Sequence, residues 1–208
     1  MQFTLVNKLI AIVGKRASGK SILCKFLVQR QQHLFQDVFV VSATESANKF
    51  YETFINKKNI FTEWDVEWID KFWNTIKTSG NCSCDKKNVL LILDDVGSED
   101  DFKKNGSLRL MATTGRHFHL SVIILSQYLY QIAPVVRSNC DYMLAGQMNA
   151  KSRDILCDEF LLGHTTKSEF ISIYNKASSN HSFMIICNTS VEDVSNTDLI
   201  YGKIKASI

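Results

Sequence analysis

The chain carries one proline in 208 residues, where ordinary usage would supply about ten. It also lacks a Pro/Gly linker, a low-complexity tract and an internal repeat, so neither a flexible two-domain chain nor a repeat array is expected. No stretch approaches the roughly 18 consecutive apolar residues of a membrane-spanning helix. Neither charge sign dominates: 24 Lys and Arg face 21 Asp and Glu, for a net +3. That balance permits nucleic-acid binding without arguing for it. The opening MQFTLVNKLIAIVGK has no basic n-region, so it does not read as a secretory leader, and the protein is not expected to be secreted. Without such a leader the six cysteines are expected as free thiols, not as a disulfide framework. Cys82 and Cys84 form a C-x-C in a polar stretch, but a zinc knuckle needs a second pair at compatible spacing, and only isolated Cys and His remain.

At 45% apolar and 22% charged residues the composition is that of a soluble globular chain. Its length suits one domain with a sizeable core. The one candidate insertion is 78–88, TSGNCSCDKKN.

Apolar runs of strand length recur along the chain. They are LIAIV at the end of 3–13, DVFVVSA at 37–43, NVLLILDDVG at 88–97, HLSVIILSQ at 119–127, CDYMLAG at 140–146 and SFMIICN at 182–188. Helical spacing predicts helices over 20–31, 44–58, 65–77, 107–117, 129–137, 149–161 and 166–177. Trp64, Trp68, Phe72 and Ile76 make one stripe, flanked by Ile69 and Trp73. It reads as a core face first and as a subunit contact second. Strands alternating with helices imply an α/β fold with a mostly parallel sheet.

The segment Gly14-Lys15-Arg16-Ala17-Ser18-Gly19-Lys20-Ser21 fits G-x-x-x-x-G-K-[ST], between a strand and a helix. The glycines let the loop wrap with its backbone N–H groups turned toward phosphate, and the following helix adds its positive end. Lys20 can reach the β- and γ-phosphates of ATP, and the Ser21 hydroxyl can ligate Mg²⁺. Lys15 and Arg16 either touch phosphate or are plain exposed cations.

Asp94 and Asp95 end the apolar run 89–93. A strand-terminal aspartate suits Mg²⁺, and an acidic residue directly after it suits activation of the attacking water. The bland alternative, a solvated turn, loses weight beside a phosphate loop. Ser126-Gln127 ends the next strand, where Gln127 can sense γ-phosphate and position water.

These elements, in this order, carry a resemblance. GKRASGKS, LLILDDVG and TTGRHFHLSVIILSQYLYQIAPVVRSNCDYML resemble the FtsK–HerA superfamily of DNA-pumping ATPases. Within it they look most like the poxvirus-type genome-packaging ATPases of nucleocytoplasmic large DNA viruses and virophages. The discriminating pattern is G-R-H at 115–117, a strand ending in S-Q at 126–127, and R-x-N at 137–139. The resemblance covers about 10–147 and fades over 44–87 and 178–208.

The resemblance implies a RecA-like (ASCE) three-layer P-loop NTPase, occupying 1–208 as a single domain. Strand 119–127 would sit between the P-loop strand and strand 88–97. It implies a homo-oligomeric ring, pentamer or hexamer, around double-stranded DNA, with a capsid or portal component as partner. The setting it implies is the viral factory in the host cytoplasm, and the virion. Carried over, Lys20 and Ser21 bind phosphate and Mg²⁺, Asp94 binds Mg²⁺, Asp95 is the catalytic carboxylate and Gln127 the sensor. Arg137 or Arg116 would supply an arginine finger to a neighbour. Arg153 resembles a further family position without a role. Lysine pairs at 57–58, 86–87 and 103–104 are either solvated faces or DNA contacts. A cellular-type pump, a nucleotide or metabolite kinase, and a nucleotide-switched assembly module are the alternatives.

Overall fold

The computed structural model describes residues 3–80, 87–96, 105–161, 166–188 and 201–205. The C-x-C at 82 and 84, and Lys86, Lys103 and Lys104, lie outside the described residues.

The six apolar runs become strands of one sheet, which also holds two strands the sequence did not suggest, β3 (Ile60–Phe61) and β8 (Tyr201–Lys205). The others are β1 (Leu9–Val13), β2 (Asp37–Ser42), β4 (Val89–Asp94), β5 (Leu120–Ser126), β6 (Tyr142–Ala145) and β7 (Ser182–Cys187), and the order is β3-β2-β4-β5-β1-β6-β7-β8. The first six in that order are parallel, and β7 and β8 close one edge antiparallel. The expectation that 119–127 inserts between the phosphate-loop strand and 88–97 holds.

Side chains alternate across the sheet with period two. From β1, Leu9, Ala11 and Val13 enter one core and Ile10 and Ile12 the other. Fully burying an aliphatic side chain stabilises by about 1.5–3 kcal/mol, so the strand's facing is strongly set. Helix α1 (Lys20–Gln31) covers the second face with Leu23, Leu27 and Val28. The first face is covered by α3 (Val66–Gly80), α4 (Gly106–Thr114), α5 (Pro134–Asn139), α6 (Ala150–Phe160) and α7 (Lys167–Ala177). The aromatic stripe of α3 is core: Ile69, Phe72, Trp73 and Ile76 are buried, and Trp68 stacks on Phe72 at 5.1 Å.

Four expectations are corrected. Residues 44–58 are not one helix: they hold a single turn, α2 (Glu45–Asn48), and 3₁₀ turns at Tyr51–Thr53 and Lys57–Asn59. The Glu45 carboxylate accepts from the backbone N–H of Tyr51 at 2.9 Å and of Glu52 at 2.8 Å, folding the chain back on itself. Lys49, at φ 48°, ends the turn. Within 3–13 only Leu9–Val13 is strand, because Asn7 adopts φ 56° and gives its N–H to Ser121 Oγ. The helix expected at 107–117 gives way to a 3₁₀ turn, Gly115–Phe118. That expected at 129–137 splits into a 3₁₀ turn (Leu129–Gln131) and α5, whose Pro134 holds Ala133 extended.

The register aligns the strand ends that matter. Val13 pairs with Ser126 and Asp94 with Leu125. At the other end, Asp141 accepts from Leu9 N and Lys8 Nζ at 2.8 and 3.0 Å, which fixes where β1 begins.

Candidate active site

The loop after β1 is tied to its neighbours on both sides. Gly14 N donates to Ser126 O at 3.2 Å, and Lys15 N to Gln147 O at 2.6 Å. Tyr174 braces the segment carrying Gln147: its hydroxyl donates to Gly146 O and accepts from Met148 N. Gly14 leaves room for Ser18, since a Cβ there would lie 2.7 Å from Ser18 Oγ and force the hydroxyl to move. The turn closes with Ser18 N on Lys15 O, Ala17 at φ 60° and Gly19 at φ 96°. The result is a concave loop running into the positive end of α1, the arrangement that binds phosphate. Lys15, Arg16 and Ala17 are exposed; Ser18 is buried, and its hydroxyl has no partner.

Lys20 is buried, its ammonium donating to Gly14 O at 2.9 Å and to Lys15 O at 3.4 Å. Burial lowers its pKa, opposed by the negative charges of Asp95 and Asp94. The charges of both aspartates thus act on the lysine. Ser21, half-buried, follows on the first turn of α1.

Asp94 ends β4 at 7% exposure and accepts a hydrogen bond from the Tyr51 hydroxyl at 2.9 Å. Burial pushes its carboxyl up to about 6, with Asp95 and Glu45 adding and Tyr51 and Lys20 opposing. Asp95 turns out of the strand at φ 51°, its N–H on Leu125 O. It is exposed, and its Oδ2 accepts from Gln127 Nε2 at 2.9 Å. Ser126 keeps its hydroxyl local, 3.0 Å from Tyr128 O. A cleft of about 240 Å³ opens along Asp95, Gln127, Tyr128 and Gln131, with room for water beside the carboxylate.

Ser21 and Asp94 are hard oxygen donors. Among the described residues no cluster of three or more His, Cys, Asp or Glu could cage a metal. An ion here would take one or two protein ligands and complete its shell with phosphate and water, which is the habit of Mg²⁺. The donor set fits that ion.

Lys20, Asp94, Asp95 and Gln127 thus gather at the carboxyl ends of the interior strands β1, β4 and β5, and neither arginine is bonded to any of them. Arg116 is exposed beside the start of β5, near Lys8 and Asp141. Arg137 is buried at 7% exposure, and its guanidinium is engaged within its own chain. Nε and Nη2 donate to the Glu159 carboxylate at 2.7 and 2.5 Å, and Nη1 donates to Leu129 O and Ile132 O. Arg153 has a buried Nε with no partner. Lys57 and Lys58 are exposed, and Lys57 faces Glu52 at 3.4 Å. Sequence reasoning missed Tyr51 and Glu45. They lie in a segment that read as an ordinary helix and reach the site only through the fold.

The fold is similar to that of the genome packaging NTPase B204 from Sulfolobus turreted icosahedral virus 2. Its sulfate complex gives a TM-score of 0.66 at 16% identity, covering 88% of this chain and 92% of that one. Conjugation coupling protein TcpA of pCW3 gives 0.61 at 14% identity, covering 88% of this chain and 59% of that one. Likeness at these identities is one of fold. In sequence the chain is similar to protein 015R of Frog virus 3 (isolate Goorha), 26% identical over 186 residues, and to protein 075L of Invertebrate iridescent virus 6, 29% identical over 138 residues. These matches cover 88% and 66% of this chain and 58% and 54% of those proteins, so the chain spans a little over half the length of these two relatives. The Poxvirus A32 protein family matches residues 4–201, nearly the whole chain, and the chain belongs to that family.

Proposed function

We propose that this chain is the ATP-hydrolysing motor of a viral genome-packaging machine, driving double-stranded DNA into a capsid. The observation that carries the reading is the convergence of Lys20, Asp94 and the Asp95–Gln127 pair at the aligned ends of β1, β4 and β5. Family membership and the fold shared with a packaging NTPase support the substrate and the role. B204 is described in complex with AMPPCP and with ATP-gammaS, which supports ATP as the nucleotide.

The chain's own residues do the following in this reading. In the loop Gly14–Ser21 the amides of Arg16, Ala17, Gly19, Lys20 and Ser21 cradle the phosphates, those of Gly14, Lys15 and Ser18 being held by carbonyls, and Lys20 turns its ammonium from Gly14 O to the β- and γ-oxygens. Ser21 and Asp94 hold Mg²⁺, which neutralises phosphate charge when bound. Asp95 accepts the proton of the attacking water, and Gln127, already on Asp95 Oδ2, orients that water. A charge contributed by Arg116 from a neighbouring subunit completes the site. The assembly is a ring, pentameric or hexameric, whose other partner is a capsid or portal component. It works in the viral factory of the host cytoplasm, and the virion retains it. No helix among the described residues is long and apolar enough to cross a membrane.

The test is phosphate release by the purified chain with and without duplex DNA, with mass in solution measured alongside. Stimulation by duplex DNA, with ADP and free phosphate as the products and no phosphorylated acceptor, is the expected result. Turnover indifferent to DNA would overturn the motor reading, and transfer to an acceptor would point to a kinase.

A further inference from the structure

We propose that Tyr51 is the positioning residue of the metal site: its hydroxyl fixes the Asp94 carboxylate so that the free oxygen faces the ion. The inference rests on Asp94 as the Mg²⁺-binding carboxylate. It goes beyond that reading by assigning a role to a side chain that no motif contains.

Three observations carry it. The hydroxyl donates to Asp94 Oδ2 at 2.9 Å across 43 residues of chain, with Tyr51 only 1% exposed. Water therefore cannot replace that donor. The tyrosine is itself held in place. Its backbone N–H donates to Glu45 Oε2 at 2.9 Å, and Glu45, 2% exposed, also accepts from Glu52 N. Its ring meets Phe50 edge-on at 5.2 Å and Phe54 at 5.6 Å. Finally, Asp94 has no other side-chain hydrogen bond described. The terminal torsion of an aspartate is broad and roughly two-fold, so a single fixed donor decides which oxygen points where. Ligating carboxylates are commonly oriented by such outer partners, whose loss weakens metal binding about 10–100-fold.

The chemistry is consistent with a permanent donor. A phenol has one O–H to donate, and the Tyr51 hydroxyl gives it to Asp94 Oδ2. Glu45 is a structural acceptor: both of its oxygens are committed to backbone N–H groups. The turn 45–54 thus holds one phenol against one carboxylate.

The experiment measures binding of a fluorescent ATP analogue as Mg²⁺ is titrated, with EDTA as the metal-free reference and thermal melting to check folding. Tyr51→Phe keeps the ring and its packing. It is expected to raise the half-saturating Mg²⁺ about tenfold and to leave analogue binding in EDTA unchanged. Phe54→Leu loosens the same aromatic cluster but keeps the hydroxyl, and should leave the Mg²⁺ requirement where it was. An unshifted Mg²⁺ requirement in Tyr51→Phe, or an equal shift in Phe54→Leu, overturns the proposal. Asp94→Asn separates the two levels. If it shifts the Mg²⁺ requirement and Tyr51→Phe does not, the positioning role alone falls. If it shifts nothing, the metal reading of Asp94 falls and the role of Tyr51 with it.

Discussion

Asp94→Asn is expected to make the nucleotide-free chain more stable while damaging its use of metal. The Asp94 carboxyl sits at about 6 in the folded chain against 3.8 for an ordinary aspartate. Above pH 6 both folded and unfolded chains carry the charge, and the folded chain bears the cost of holding it in a buried site. About two pKa units correspond to about 3 kcal/mol. Below about pH 4 both forms are protonated and the cost is gone. Between those limits the folded state binds more protons, so this group's contribution falls as pH rises from about 4 to 6. Asparagine removes the charge and can still accept from Tyr51, but its amide N–H₂ finds no ready acceptor. That reduces the expected gain to about 2 kcal/mol, or roughly 5 °C in Tm for a chain of this size. The assay is thermal melting in EDTA from pH 4 to 8, read as the difference between variant and wild type. The gain should be full at pH 7–8 and give way near pH 4 to a loss of up to about 1 kcal/mol, the cost of the unpaired amide. No gain at pH 8, or an equal gain at pH 4, would refute the placement of a strained carboxylate at the end of β4.

Lys20→Ala should fold normally, bind ATP weakly and turn over at less than about a tenth of the wild-type rate, measured by phosphate release. Asp95→Asn should bind Mg-ATP nearly as wild type yet hydrolyse it far more slowly, whereas Asp94→Asn should lose metal-dependent binding; identical behaviour of the two in both assays would undo the division of roles. Arg137→Ala should lower stability by about 2–4 kcal/mol, because it strips Glu159 and two backbone carbonyls of their donor, with the exposed part of Glu159 moderating the loss. Thermal melting measures that difference.

The fold was legible where burial leaves a continuous mark. β1, β4 and β5 are sealed on both faces, so they read as unbroken apolar runs. The concave turn at 14–21 was legible because a cradle built from backbone fixes glycine and lysine at set spacings. The Asp94-Asp95 pair and Gln127 were legible because strand ends are their positions. The two-residue β3 is too short to leave a pattern. The turn 45–54 was misread because its geometry depends on one carboxylate reaching back to two N–H groups, which helical spacing does not reveal. Tyr51 and Asp94 are 43 residues apart and Arg137 and Glu159 are 22 apart. Such pairings arise from packing and leave no local signal.

The two arginines that the sequence could not separate differ sharply in their surroundings. Arg137 is sealed and fully engaged with Glu159 and carbonyl oxygens, so freeing it would unpair a buried network. Arg116 is exposed at the start of β5, whereas Gln127 follows the strand's other end. Seven residues of strand put roughly 20 Å between them, so Arg116 cannot serve its own phosphate loop. If it serves a neighbour's, Arg116→Ala should leave Tm and ATP binding unchanged and lower DNA-stimulated turnover by roughly 10³. Mixing Arg116→Ala chains with Lys20→Ala chains should then restore part of the activity, since some interfaces pair an intact loop with an intact finger. Phosphate release with duplex DNA reads the outcome, in particles whose mass shows that both chains are present. Recovery places the arginine in trans and makes the closed ring a requirement of the chemistry. Mixed particles that stay inactive would remove Arg116 from the site and, with it, the chemical reason for a ring.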